Sequence, residues 1–134
     1  MQRPKFRQEM IDDALRKLHL VVQGIKASVV VNRDGLLVAA FPPGDDKDYL
    51  VNPTSSPQVA AMAATLIGLA ERTLARLAQG EVERLLMEGE HGTMVIYPAG
   101  RATLAVLIEK GQKVGPVLYA ASMAAKYIAN VLVG

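Results

Sequence analysis

The chain has 134 residues, 51% hydrophobic and 21% charged, with a net charge of +2 and no cysteine. That length suits one domain over residues 1–134, with 1–6 expected as a flexible N-terminus, and is enough to bury a core without staples. The balance excludes disulfide and thiolate chemistry, gives nucleic acid no concentrated basic patch, and offers no apolar run of the ~20 residues a membrane span needs. The first seven residues, Met1-Gln-Arg-Pro-Lys-Phe-Arg7, lack an apolar signal core, so the expected setting is cytoplasmic.

Residues 6–23 read as a first helix. Phe6, Met10, Ala14, Leu15, Leu18 and Val22 recur at helical spacing, charged residues fill the other side, and Gly24 is a terminator. Ala27–Asn32 and Leu36–Phe41 are β-rich runs around Asp34-Gly35, which signals a hairpin. Both runs are nearly continuous in apolar residues, so both faces of the hairpin are expected to be covered. A polar, turn-rich loop starts at Pro42-Pro43 and runs on to Ser56.

Ser56 and Pro57 then mark the start of a central helix over 57–79, with Gly80 as its stop. At about 100° per residue, Val59, Met62, Leu66, Ile67, Leu69, Leu74 and Leu77 gather on one side, which is expected to cover a core. Ala61, Ala64, Gly68 and Ala75 gather on the other, flanked by Thr65, Glu71, Arg72, Arg76 and Gln79. Small residues let another helix approach closely. Alanine alone would need no further reason, being the best helix former. Glycine inside a helix costs about 1 kcal/mol relative to alanine, so Gly68 favours a helix contact there.

Three strands follow at Glu81–Glu88, Thr93–Tyr97 and Ala102–Glu109, linked by short turns. A last helix begins near Gly115-Pro116, with Leu118, Ala121, Ala125, Ile128 and Leu132 as its apolar face. The order is α-β-β-α-β-β-β-α. The fold class is α+β, a five-stranded antiparallel sheet with helices on both faces.

No catalytic constellation is visible. His19 and His91 have no second ligand at metal spacing, and His91 beside Glu90 reads as a solvated turn. Ser28, Ser55, Ser56 and Ser122 are hydroxyl candidates outside any nucleophile elbow. Gly111-Gln-Lys-Val-Gly-Pro116 lacks the Gly-Lys-Ser/Thr end of a phosphate loop. Asp45, Asp46 and Asp48 lack the glycine of a calcium loop. The expectation is therefore a non-enzymatic protein with no cofactor and no metal.

Gly24–Ala40, Gln58–Ala70, Gly80–Gly92, and Ala105–Gly111 leading to Val114–Leu118 together resemble roadblock domains of the dynein light chain type. The resemblance covers the chain from about residue 8, and its specificity lies in the order and spacing of these motifs. It implies homodimers in which central helices pair and third strands join into one sheet. Ala61, Ala64, Gly68, Ala75, Val82 and Leu86 would then lie near the dimer contact. It also implies a Ras-like small GTPase as partner. Some prokaryotic members, such as the gliding-motility regulator, are GTPase-activating proteins, and others are scaffolds. Thr65, Glu71, Arg72, Arg76 and Gln79 are the expected partner contacts. The competing reading is a ligand-sensing or structural domain of the related profilin-like folds, with no GTPase. The small-faced helix favours the first reading, and 4% aromatic content weighs against an aromatic-lined pocket.

Overall fold

A computed structural model describes residues 3–43 and 56–133. Its elements are α1 (Arg3–Val21), β1 (Ile25–Asn32), β2 (Leu37–Phe41), α2 (Pro57–Arg76), β3 (Leu85–Glu88), β4 (Gly92–Ala99), β5 (Ala102–Glu109) and α3 (Val114–Val131). The expected order α-β-β-α-β-β-β-α and the antiparallel five-stranded sheet are both present. Strand order is β2-β1-β5-β4-β3, so α2 carries the chain from one edge of the sheet to the other.

Side chains alternate across a strand, and here both directions are covered. Val30, Leu104, Val106, Ile108, Val95 and Tyr97 face α1 and α3, meeting Ile11, Leu15, Val117 and Ile128. Val29, Val31, Ala105 and Ile96 face α2, meeting Ala60, Ala63 and Ile67. That is why β1 is buried without a break from Ala27 to Val31. The Tyr97 hydroxyl donates to the Leu118 carbonyl at 2.9 Å and ties α3 to β4. Burial pushes the Tyr97 phenol above its ordinary pKa.

Covering is incomplete on β2, contrary to the expectation for the hairpin. Leu36 and Leu37 are exposed, because β2 is an edge strand and the helices reach only its inner half. Asn32 organises the turn, its Oδ1 accepting from Asp34 N and Leu36 N at 2.9 and 3.0 Å. Gly35 has φ +82° and is buried, and a Cβ there would lie 3.1 Å from the Ala61 Cα. Only glycine suits that conformation and that approach, so the hairpin turn packs directly on α2.

Several boundaries differ from those read in the sequence. The first helix starts at Arg3, not Phe6, and its core contacts include Ile11, while Phe6 is exposed. Val117, absent from the expected face of α3, is fully buried. α2 stops at Arg76, three residues early, because Ala78 turns left-handed at φ 57°. The Ala78 N–H bonds to Ala75 O, and Gln79 N–H to Leu74 O at 2.8 Å, which closes a Schellman motif around an alanine. β3 covers only Leu85–Glu88 rather than 81–88, since Val82 is drawn under α2 instead of extending the strand. The aspartates at 45, 46 and 48, and Ser55, lie outside the described residues.

Candidate site on the outward face of α2

Ser56 caps α2 as expected, its Oγ accepting from Val59 N at 3.2 Å, with Pro57 at the first turn. The two faces of the helix are used differently from the expectation. The small residues Ala60 and Ala63, with Ile67, form the buried stripe, and Ala64, Leu66, Ala70 and Leu74 pack beside it. Small side chains bring the helix close to a sheet surface already filled by Val29, Val31 and Ile96. Met62, Leu69 and Leu77, read as core residues, point outward instead. Met62 is 61% and Leu69 47% exposed.

At 100° per residue, Met62, Thr65, Leu69, Arg72 and Arg76 fall on one outward stripe. Glu71 stands more than a third of a turn from the centre of that stripe. Thr65 Oγ1 donates back to Ala61 O at 2.9 Å, which leaves its methyl group outward. Among the described residues, neither Arg72 nor Arg76 has an ion-pair partner. Gln79 is not on the helix at all. It belongs to the C-terminal cap, with Nε2 bonded to Leu77 O at 3.1 Å.

The residues expected at a dimer contact divide. Gly68 is half-buried, and a Cβ there would meet no other part of the fold within 4 Å, so this flank of the helix is open. Ala75 is exposed. Ala61 is exposed but abuts the Gly35 turn, and Ala64 is partly committed to the sheet. Val82 is buried and cannot lie on an exposed edge. Leu86 stands 41% exposed on β3.

The two edges of the sheet are not equivalent. At one edge, β2 carries a register irregularity opposite the Val30/Val31 step, and Gln8 Nε2 donates to Val38 O at 2.8 Å. Bulges and side-chain covers of this kind block strand pairing. At the other edge, β3 pairs with β4 alone.

His19 Nε2 and Ser28 Oγ lie 2.9 Å apart, a pairing of imidazole and hydroxyl that residue spacing did not reveal. Ser28 is fully buried, so it is a packing hydroxyl rather than a nucleophile. Among the described residues, no cluster of His, Asp or Glu could hold a metal ion, and no helix is long and apolar enough to cross a membrane.

A sequence profile for the Roadblock/LC7 domain matches residues 11–109. The chain belongs to this family. An uncharacterized protein of Methanocaldococcus jannaschii, MJ1340, is 37% identical over 119 residues, spanning 89% of this chain and 96% of that one. The Roadblock/LC7 domain from Streptomyces avermitilis superposes with a TM-score of 0.76 at 23% identity, over 90% of this chain and 96% of that chain. The gliding protein MglB from Thermus thermophilus superposes with a TM-score of 0.75 at 15% identity, over 93% of this chain and 90% of that chain. These likenesses of structure show the roadblock fold.

Proposed function

We propose that this Roadblock/LC7 chain is a non-enzymatic homodimer that docks a Ras-like small GTPase through paired α2 helices, as a scaffold or as a GTPase-activating protein. The reading rests on one observation above all. The outward stripe of α2 joins two uncovered apolar side chains, Met62 and Leu69, to two arginines without ion-pair partners among the described residues, Arg72 and Arg76.

Apolar side chains that fold against nothing mark contact surfaces, and arginine is enriched there. The open Gly68 flank and the bare β3 edge lie where pairing of α2 with α2 and β3 with β3 would use them. Family membership and the likeness to MglB support the same assembly and partner class. Cytoplasmic placement follows from that partner.

Arg72 and Arg76 would bind acidic switch surfaces rather than act as arginine fingers, since both sit in a regular helix. The test is light scattering for the dimer, followed by calorimetric titration with small GTPases of the same organism in GDP and GTP states. A monomer at micromolar concentration would refute the assembly, and failure of every GTPase to bind would refute the partner.

A further inference from the structure

On the face opposite α2, helices α1 and α3 leave a groove of about 640 Å³ between them. Its floor is small and apolar, from Ala14, Leu18, Ala120 and Ala124, and its walls carry Met10 and Met123. Three polar tips line it as well: Lys17, Tyr119 and Tyr127. Tyr119 is 72% exposed. Tyr119 and Tyr127 are two of the four tyrosines in a chain with few aromatics. An apolar cavity of several hundred Å³ with a few polar groups at its mouth is the usual form of a small-molecule site.

The charges narrow the ligand. Asp13, the carboxylate lining the groove, is bound by Arg16. Lys17 has no ion-pair partner among the described residues, and neither tyrosine hydroxyl has a hydrogen-bond partner among them. One cation without an ion-pair partner among the described residues, in a groove also lined by two tyrosines, suits a single negative charge. A phosphate dianion would call for more cations. Met10 to Val21 on α1 and Pro116 to Tyr127 on α3 each span roughly 16 Å at 1.5 Å per residue. That length matches a linear apolar chain lying along the groove.

We infer that this groove binds a free medium-chain carboxylate, its chain along the apolar floor between α1 and α3 and its head at Lys17. A second copy of the chain fits less well, because a two-fold contact through this face would bury the Lys17 of both copies without an anionic partner among the groove's residues other than Asp13, which Arg16 already holds. A bilayer surface fits less well because the face is concave. The inference does not depend on the α2 reading, since α2 lies on the opposite side of the sheet.

The probes are dodecanoate and dodecanol below their micelle and solubility limits, titrated into the full chain. Binding is followed by calorimetry and by NMR of the Met10, Met123 and Ala120 methyl groups. Saturable binding of dodecanoate with shifts at those methyls is expected. Lys17→Gln should weaken dodecanoate about tenfold, the loss of one charge-assisted hydrogen bond, and leave dodecanol unchanged. Ala120→Trp should block both ligands. Lys17→Gln lies on the surface, so it keeps the test sound if Ala120→Trp does not fold. Equal affinity for the acid and the alcohol, indifference to Lys17→Gln, shifts confined to α2 and β3, or binding to vesicles without binding of monomeric dodecanoate would each overturn the proposal.

Discussion

His19 Nε2 sits 2.9 Å from Ser28 Oγ, with the Phe41 ring edge-on to the imidazole at a centroid distance of 4.6 Å. This contact joins α1 to the two strands of the first hairpin. Burial holds the imidazole below its ordinary pKa of 6.5. The folded state therefore binds fewer protons at His19 than the unfolded chain does. Its contribution to stability is fully present above 6.5 and is lost as pH falls through the lowered folded value. Urea midpoints should drop between about pH 8 and pH 5, and His19→Gln should flatten the part of that drop due to this residue. Ser28→Ala should cost about 1 kcal/mol at either pH, as an ordinary lost hydrogen bond does. An identical pH slope in wild type and His19→Gln would rule the linkage out.

Ala78 occupies the left-handed position of a Schellman cap that glycine fills at least strain. Ala78→Gly relieves a conformational cost of about 1–2 kcal/mol and loses part of that gain to a more flexible unfolded chain. A net stabilisation of up to about 1 kcal/mol should follow. Differential scanning calorimetry would show a raised Tm, and a lowered one would mean that the Cβ of Ala78 makes a contact worth more than the strain.

Much of this molecule was legible in the residues. Element types and order follow from periodicity and from the Asp34-Gly35 and Ser56-Pro57 signals, all of which sit where the structure uses them. The orientation of α2 was not legible. The helix carries two stripes at the same spacing, one of leucine and methionine and one of alanine. Hydrophobicity alone assigns the larger residues to the core. The sheet rotates the buried face instead: Val29, Val31 and Ile96 already fill the space, so Ala60 and Ala63 pack closest with Ile67, Leu66 and Leu74 stay beside them, and Met62, Leu69 and Leu77 turn outward. The early end of α2 was hidden for a different reason: Gly80 does take a positive φ, but nothing local marks Ala78, two residues before it, as the residue that turns left-handed first. The burial of Val82 depends on the layer above it, which strand periodicity does not encode.

Gly68 separates fold from assembly. Because a Cβ there meets nothing else in the fold within 4 Å, Gly68→Ala in an isolated chain should gain up to about 1 kcal/mol of helix propensity. Gly68→Leu should also fold, yet clash across a helix pair. The expected result is a folded Gly68→Leu monomer by circular dichroism and light scattering. A Gly68→Leu dimer as tight as wild type would place the pairing surface elsewhere.

Met62→Glu and Leu69→Glu test the neighbouring outward stripe of α2, from its apolar side. Were these residues in the core, each change would bury an unpaired charge and cost several kcal/mol. Both side chains are substantially exposed, so the monomer should fold almost unchanged. Dimerisation should weaken instead, and any loss of Tm should then depend on protein concentration. Concentration-independent unfolding of both variants at much lower temperature would return these residues to a core role.

Arg72 and Arg76 carry the prediction about partner binding. They stand four residues apart on the outward stripe, without ion pairs among the described residues, so the fold does not require their charge. The double change Arg72→Glu/Arg76→Glu should leave stability within about 0.5 kcal/mol, as surface substitutions do. Against an acidic GTPase surface it replaces attraction with like-charge repulsion, and should cost a few kcal/mol of binding. Affinity of the wild type should also fall as salt is raised, and that salt dependence should vanish in the variant. Calorimetric titrations at two ionic strengths measure both effects. Glu71 is the internal control: more than a third of a turn from the centre of the stripe, its change to alanine should alter binding far less. Unchanged GTPase affinity in the double variant would remove the outward face of α2 from the docking surface, even if the dimer itself proved to be built as proposed.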